Sequence, residues 1–183
     1  MTGFKLTRDT LAEILAVLLN LGYTGFYILG YRWCFILAFF GSIIFIGLTF
    51  KRKIVAESLL HAFYVYMAVH GWMKWNATGE ANGLTGNEHL LLLGTGVVVW
   101  LSSALWLRRF SISKMPFVDT FTTIFSVLAT WIMVNFDPIN WWYWLVIDSA
   151  SIFLYWKRKL YFGAIMFVIY LVLAIIGLID AYG

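Results

Sequence analysis

Seven long apolar stretches, each closed off by charges or turn-forming residues, constrain this chain more than any other feature of it. They run near Leu11–Gly30, Trp33–Phe50, Ile54–Trp75, His89–Leu107, Phe117–Phe136, Ile139–Trp156 and Leu160–Ile179. Most approach the roughly 20 residues that a helix needs to cross about 30 Å of hydrocarbon. Apolar residues make up 62% of the 183 and charged residues only 12%, against about 25% charged in soluble domains. A soluble fold of this size could not hide so much apolar surface, so the bilayer is most of its solvent. The predicted class is an all-α integral membrane protein of seven transmembrane helices, which excludes a soluble enzyme and a disordered chain. The single cysteine, Cys34, excludes an internal disulfide and a cysteine metal cage. The first stretch is too long for a cleavable signal, and no small-x-small site ends it.

The charges orient the spans. With the N-terminus in the cytoplasm, the inner side receives Lys5, Arg8, Lys51, Arg52, Lys53, Arg108, Arg109, Lys114, Lys157, Arg158 and Lys159, all but two of the 13 basic residues. The outer side receives Arg32 and Lys74, together with Glu80, Asp137 and Asp180. This satisfies the positive-inside rule at every loop and puts the C-terminus outside. The net charge of +4 is therefore an orientation code, and no nucleic-acid partner is expected. The outer segment Asn76–Glu88 is glycine-rich and without apolar pattern, hence a flexible loop. Its Asn76-Ala77-Thr78 is formally a glycosylation acceptor, but the short inner loops point to a bacterial inner membrane.

A shift of 106 residues overlays parts of the chain on itself. Lys51, Arg52 and Lys53 fall on Lys157, Arg158 and Lys159; Tyr64, Ala68 and Gly71 fall on Tyr170, Ala174 and Gly177; Glu13 falls on Asp119. The first three and last three spans read as two copies of a three-helix unit joined by span 4, a 3+1+3 parallel repeat like that of the SWEET transporters. The corresponding division is 1–75 for the first bundle, 76–110 for the outer loop and connector, and 111–183 for the second bundle. Two such bundles enclose a path near the midplane and alternate access by rocking, so the repeat favours transport over a mere duplicated scaffold.

Polar groups at membrane depth are expensive, about 2.5–3.5 kcal/mol for a charge at a helix centre, and usually face a cavity or partner. Asp148 lies eight residues before the inner end of span 6 at Trp156, roughly 12 Å deep at about 1.5 Å per residue. His61 in span 3 and Ser42, the repeat equivalent of Asp148, reach a similar depth. In span 6, Trp141, Trp144, Asp148, Ser151 and Tyr155 are spaced 3, 4, 3 and 4 apart; in span 3, Glu57, His61, Tyr64, Ala68, Gly71 and Trp75 are spaced 4, 3, 4, 3 and 4. Each set forms one helix face. Two such faces turned toward one another make an aromatic slot with acceptors at its base. Indole faces attract a flat cation, and Asp148, Asn140, Tyr64 and Ser151 supply charge and hydrogen bonds. The plain alternatives are an interfacial belt for Trp141 and Trp142, helix-packing hydrogen bonds for Asp148 and His61, and ion pairs for Glu13, Glu57 and Asp119 beside the basic loops.

Several classes lack their residues here. Span 7 has no lysine for a retinal Schiff base (Lys159 stands at its mouth), and span 4 has no arginine ladder. There is no His-Glu-x-x-His run, no Gly-x-Ser-x-Gly and no phosphate-cradling glycine loop. Neither a catalytic residue, a metal site nor a cofactor is expected.

Two segments resemble the PnuC-type vitamin transporters. The first is Ala56-Glu57-Ser-Leu-Leu60-His61-Ala-Phe-Tyr64, running on to Gly71-Trp72-Met-Lys-Trp75; the second is Asn140-Trp141-Trp-Tyr-Trp144-Leu-Val-Ile-Asp148, followed by Ser151, Tyr155 and Leu160-Tyr161. The resemblance implies a homotrimer with a path in each protomer, facilitated diffusion of an unphosphorylated vitamin precursor, and metabolic trapping by a cytoplasmic kinase. It places Trp141, Trp144 and His61 at the site, with Asn140 nearby. His61 stands where the family usually has glutamine, Glu57 where it has aspartate, and Arg32-Trp33-Cys34-Phe35 where a tryptophan–proline segment is common. The substrate expected first is nicotinamide riboside, then thiamine or another B vitamin or nucleoside. A seven-helix protein that senses such a ligand without moving it is the rival from another class; a sugar transporter or an intramembrane enzyme stands further off.

Overall fold

The computed structural model describes residues 7–51, 55–75, 83–110, 114–158 and 161–183. Lys5, Arg52, Lys53, Lys159, Leu160, the glycosylation triplet with Glu80, and the Glu57 side chain lie outside the described residues. Seven helices follow in chain order: α1 (Arg8–Ile28), α2 (Cys34–Lys51), α3 (Val55–Lys74), α4 (Gly86–Arg109), α5 (Pro116–Val134), α6 (Asn140–Lys157) and α7 (Tyr161–Tyr182). Each predicted span holds one of them. By length and composition five, α1, α2, α4, α5 and α7, are apolar enough to cross a membrane. The two that fall short, α3 and α6, are those whose polar stripes carry His61 and Asp148.

Local chemistry sets the ends. The Thr7 hydroxyl caps α1 by accepting from the Thr10 N–H at 3.2 Å. Thr85 and Glu88 form a reciprocal capping box at the start of α4. Pro116 opens α5, where its missing N–H leaves no hydrogen bond unmade. At the end of α1, Gly30 adopts φ 72°, its N–H donates to the Tyr27 carbonyl, and the Tyr31 N–H reaches back to Phe26 at 2.9 Å. This is a Schellman turn, with the left-handed residue that glycine takes without a Cβ clash. The end of α5 has the same design. Phe136 adopts φ 58°, its N–H donates to Met133, and the Asp137 N–H reaches back to Ile132 at 3.3 Å.

Gly30 and Phe136 stand 106 residues apart, as do other parts of the frame. The bounds of α2 recur at that offset as those of α6, and the first residues of α3 and α7 correspond. The Phe35 ring lies where a Cβ on Gly71 would sit; 106 residues on, the Trp141 ring lies where a Cβ on Gly177 would sit. Cys34 and Asn140, Ser42 and Asp148, Leu48 and Leu154, Ala68 and Ala174 are buried pairs at the same offset.

The chain divides into two compact units, Met1–Gly79 and Glu80–Gly183. In the first, α2 packs against both α1 and α3, with Ala16, Ala38, Met67 and Ala68 in the interior. Small side chains let helices approach closely where lipid supplies no hydrophobic drive. A Thr49–Ser58 hydrogen bond of 2.8 Å ties α2 to α3, and Lys51 pairs with Asp9 at 2.7 Å. Arg32, one of the two basic residues expected outside, donates Nε and Nη2 to the Trp72 carbonyl at 3.1 and 2.6 Å and lies 4.1 Å over the Trp72 ring. It thereby satisfies a last-turn carbonyl of α3 and complements the helix dipole. In the second unit α4 packs on α5, α5 on α6 and α6 on α7. Trp100 of α4 donates its Nε1 to the Phe117 carbonyl at 2.8 Å, and Arg158 grips both Asp119 oxygens at 2.7 Å, the ion pair expected of Asp119.

Candidate functional site

The α6 stripe is built by helical spacing and held between two seams. On one edge the Trp141 ring covers Gly177 of α7, and Tyr155 covers Gly163 while meeting Phe167 at 4.9 Å. On the other edge Trp144 packs against the cluster of Phe125, Ala129 and Ile147. Asn140, Asp148 and Ser151 are at most 3% exposed.

Their polar atoms are the unusual part. Buried polar groups normally have hydrogen-bond partners. Among the described residues the Trp144 Nε1 and the Asn140 Oδ1 are buried with none, and the buried Asp148 carboxyl has neither an ion-pair nor a hydrogen-bond partner. One helix face therefore presents an amide acceptor, an indole donor and a carboxyl, all unengaged. Such groups persist where a ligand or water completes them.

The first unit carries a smaller set. The His61 ring stacks on Phe45 of α2 at 4.7 Å and 10° and meets Tyr64 edge-on at 5.8 Å. Among the described residues its buried Nδ1 has no partner. Ser42, 2% exposed, lies one helical turn before Phe45. The structure thus groups His61 and Tyr64 with the Ser42–Phe45 face of α2, and Asn140, Trp144, Asp148 and Ser151 along α6; Trp141 is engaged with α7. Nothing in the sequence marks Phe45, one phenylalanine among 16, beyond its spacing of three from Ser42. Among the described residues no cluster of three His, Cys, Asp or Glu is placed to hold a metal.

A family model described as nicotinamide mononucleotide transporter matches residues 10–182, nearly the whole chain. The chain belongs to the nicotinamide mononucleotide transporter family. It is accordingly a multi-pass membrane transporter and not an enzyme. A crystal structure of a protein described as the vitamin B3 transporter PnuC has the same fold, with a TM-score of 0.72, 21% identity, and coverage of 94% of this chain and 80% of that one. No curated protein sequence matches the chain.

In this transporter a second polar cluster, also unforeseen, stands beside the head of α6. Asp137 Oδ2 accepts from His89 Nε2 at 2.9 Å and from the Leu84 N–H at 2.9 Å; Oδ1 accepts from the Ile139 N–H at 3.0 Å. Burial pushes the Asp137 carboxyl up, but the hydrogen bonds from His89, Ile139 and Leu84 outweigh it and hold the group below its ordinary value. In the sequence Asp137 is one loop carboxylate next to Pro138, and its partner 48 residues away is invisible without the fold.

Proposed function

We propose that this transporter carries an unphosphorylated pyridinium vitamin precursor, nicotinamide riboside first, by facilitated diffusion. On α6, Trp141 and Trp144 flank the ring, Asp148 and Asn140 take its charge and hydroxyls, and Ser151 adds to the polar lining; the first unit offers a set of its own, His61 for a ring substituent with Tyr64 and Ser42. The observation that carries the reading is Asp148, buried in mid-helix without a partner: a cation offers that carboxyl the compensation its surroundings lack, and indole faces attract a flat cation. The family description speaks of a mononucleotide and the crystal structure of vitamin B3. A phosphate needs Arg, Lys or a helix N-terminus. Among the described residues the basic side chains stand at helix ends, such as Lys51, Lys74 and Lys157, or in the turns between helices, so the unphosphorylated form suits the interior better.

The same proposal includes the 3+1+3 arrangement of SWEET-like bundles divided as 1–75, 76–110 and 111–183, a cytoplasmic N-terminus and outer C-terminus, the bacterial inner membrane, a homotrimer, and trapping of the imported substrate by a cytoplasmic kinase. What supports the arrangement is the recurrence of helix bounds and ring-on-glycine contacts at an offset of 106.

Uptake into proteoliposomes is the test. Labelled nicotinamide riboside enters, excess unlabelled riboside competes better than thiamine or nicotinamide mononucleotide, and Asp148→Ala or Trp144→Ala loses most of the flux. Wild-type flux in both variants would remove the site assignment. Saturable binding with no flux would make the protein a sensor, and stronger competition by thiamine would change the vitamin.

A further inference from the structure

The turn between α5 and α6 is tied down from several directions. Besides the three donors to its carboxylate, Asp137 holds Asn140 twice through its own carbonyl, which accepts from the Asn140 N–H at 3.1 Å and from Asn140 Nδ2 at 2.7 Å. A carbonyl only accepts, so the amide must turn its nitrogen toward Asp137. Its oxygen then points onward, and that oxygen is the buried one without a partner. The neighbouring Phe136 is held at φ 58°, a conformation that costs a side-chain-bearing residue about 1–2 kcal/mol and persists where the surroundings over-determine it. Glycine at position 83 lets the chain reach the carboxylate, since a Cβ there would lie 3.2 Å from Asp137 Oδ2.

We propose that Asp137 is a positioning residue for substrate recognition: without touching substrate, it locks the α5–α6 turn so that Asn140 offers its amide oxygen, and that atom alone, at the head of the α6 stripe. The inference rests on the reading that Asn140 contacts the substrate. It adds a chemical requirement, because the group opposite Asn140 must be an N–H or O–H donor. Asn140 faces the sugar hydroxyls in that reading, so a ligand with fluorine in their place brings only acceptors there, leaves two acceptors facing each other and is rejected. With Asp137 removed, the turn relaxes, the amide is free to rotate, and rejection weakens.

The experiment is a double-mutant cycle on proteoliposome uptake, with nicotinamide riboside and its analogue carrying fluorine in place of the 2′ and 3′ hydroxyls as probes. Asp137→Ala raises KM for nicotinamide riboside about tenfold with Vmax nearly unchanged, and it narrows the preference over the fluorinated analogue; Asp137→Asn, which keeps an acceptor, recovers part of both. In the Asn140→Ala background Asp137→Ala adds nothing further, since a residue acting through another has no effect without it. Additive losses, a fall in Vmax at constant KM, or unchanged discrimination would overturn the proposal and leave Asp137 a stability residue. An unchanged KM in Asn140→Ala alone would instead remove Asn140 from the site, and this inference with it. Should Asp137→Ala fail to fold, His89→Leu removes one donor of three and is expected to raise KM about threefold, again only while Asn140 is present.

Discussion

The helices α1–α3 and α5–α7 share a frame and differ in where they put their polar groups. In the first set the aromatic Phe45 is on the middle helix and stacks on His61 of the third. At an offset of 106 the same two positions hold Ser151 on the middle helix and Phe167 on the third, so polar and aromatic have exchanged helices. Along the middle helix, Cys34, Phe35, Ala38 and Ser42 of α2 stand where α6 has Asn140, Trp141, Trp144 and Asp148. The frame is kept by backbone features, the Schellman turns at Gly30 and Phe136 and the rings over Gly71 and Gly177. The chemistry differs at buried positions that the two sets fill differently. The helices α5–α7 carry the richer set of buried polar groups, and α1–α3 hold the His61 imidazole against the Phe45 ring.

The largest expected effect tests that asymmetry directly. Asp148→Ala lowers initial uptake more than about tenfold, whereas Ser42→Ala at the matching position changes it by less than about twofold; equal losses would mean the copies share the work evenly. Next comes the frame. Gly71→Ala and Gly177→Ala each place a methyl group in an aromatic ring and cost about 1–3 kcal/mol, seen as a lower thermal midpoint in detergent. If one variant is silent, that copy is held by something other than its ring-on-glycine seam. Smaller effects lie in the two turns: Gly30→Ala destabilises by about 1 kcal/mol. Phe136→Gly, which relieves the left-handed strain while adding unfolded-state entropy, stabilises by less than about 1 kcal/mol. Loss of stability in Phe136→Gly would show that its side chain matters more than its φ.

The smallest effect concerns acid. The second turn has Asp137 where the first has Tyr31. Because the folded-state value of Asp137 lies below its ordinary 3.8, the stabilisation it brings is complete above that pH and disappears as pH falls through the lower folded value. Thermal midpoints measured down to pH 3 decline more in the wild type than in Asp137→Asn. Parallel curves would mean the carboxylate contributes nothing through ionisation.

Much of this was legible in the chain. The spans were readable because lipid demands long apolar runs, and the Trp141–Asp148 stripe because a helix brings residues three and four apart onto one face. The Lys51–Lys157 and Gly71–Gly177 correspondences pointed to an offset of 106 residues, at which helix bounds and ring-on-glycine contacts recur in the fold. Other features were not legible. Trp141 looked like a ring-binding residue, and the fold also seats it on Gly177; Phe45 was one apolar residue among many; Asp137 looked like an ordinary loop carboxylate. Such roles depend on partners distant in sequence, and no periodicity reports those.

The sequence by itself determined that this protein lives in a membrane, how many helices it has, where each lies to within a few residues, and which residues of the third and sixth share a polar face, because those properties follow from local hydropathy and helical spacing. Only the tertiary structure decided which polar atoms are left without partners. Whether Asn140, Trp144 and Asp148 are satisfied depends on which atoms neighbouring helices bring within about 3 Å, and packing alone sets that distance.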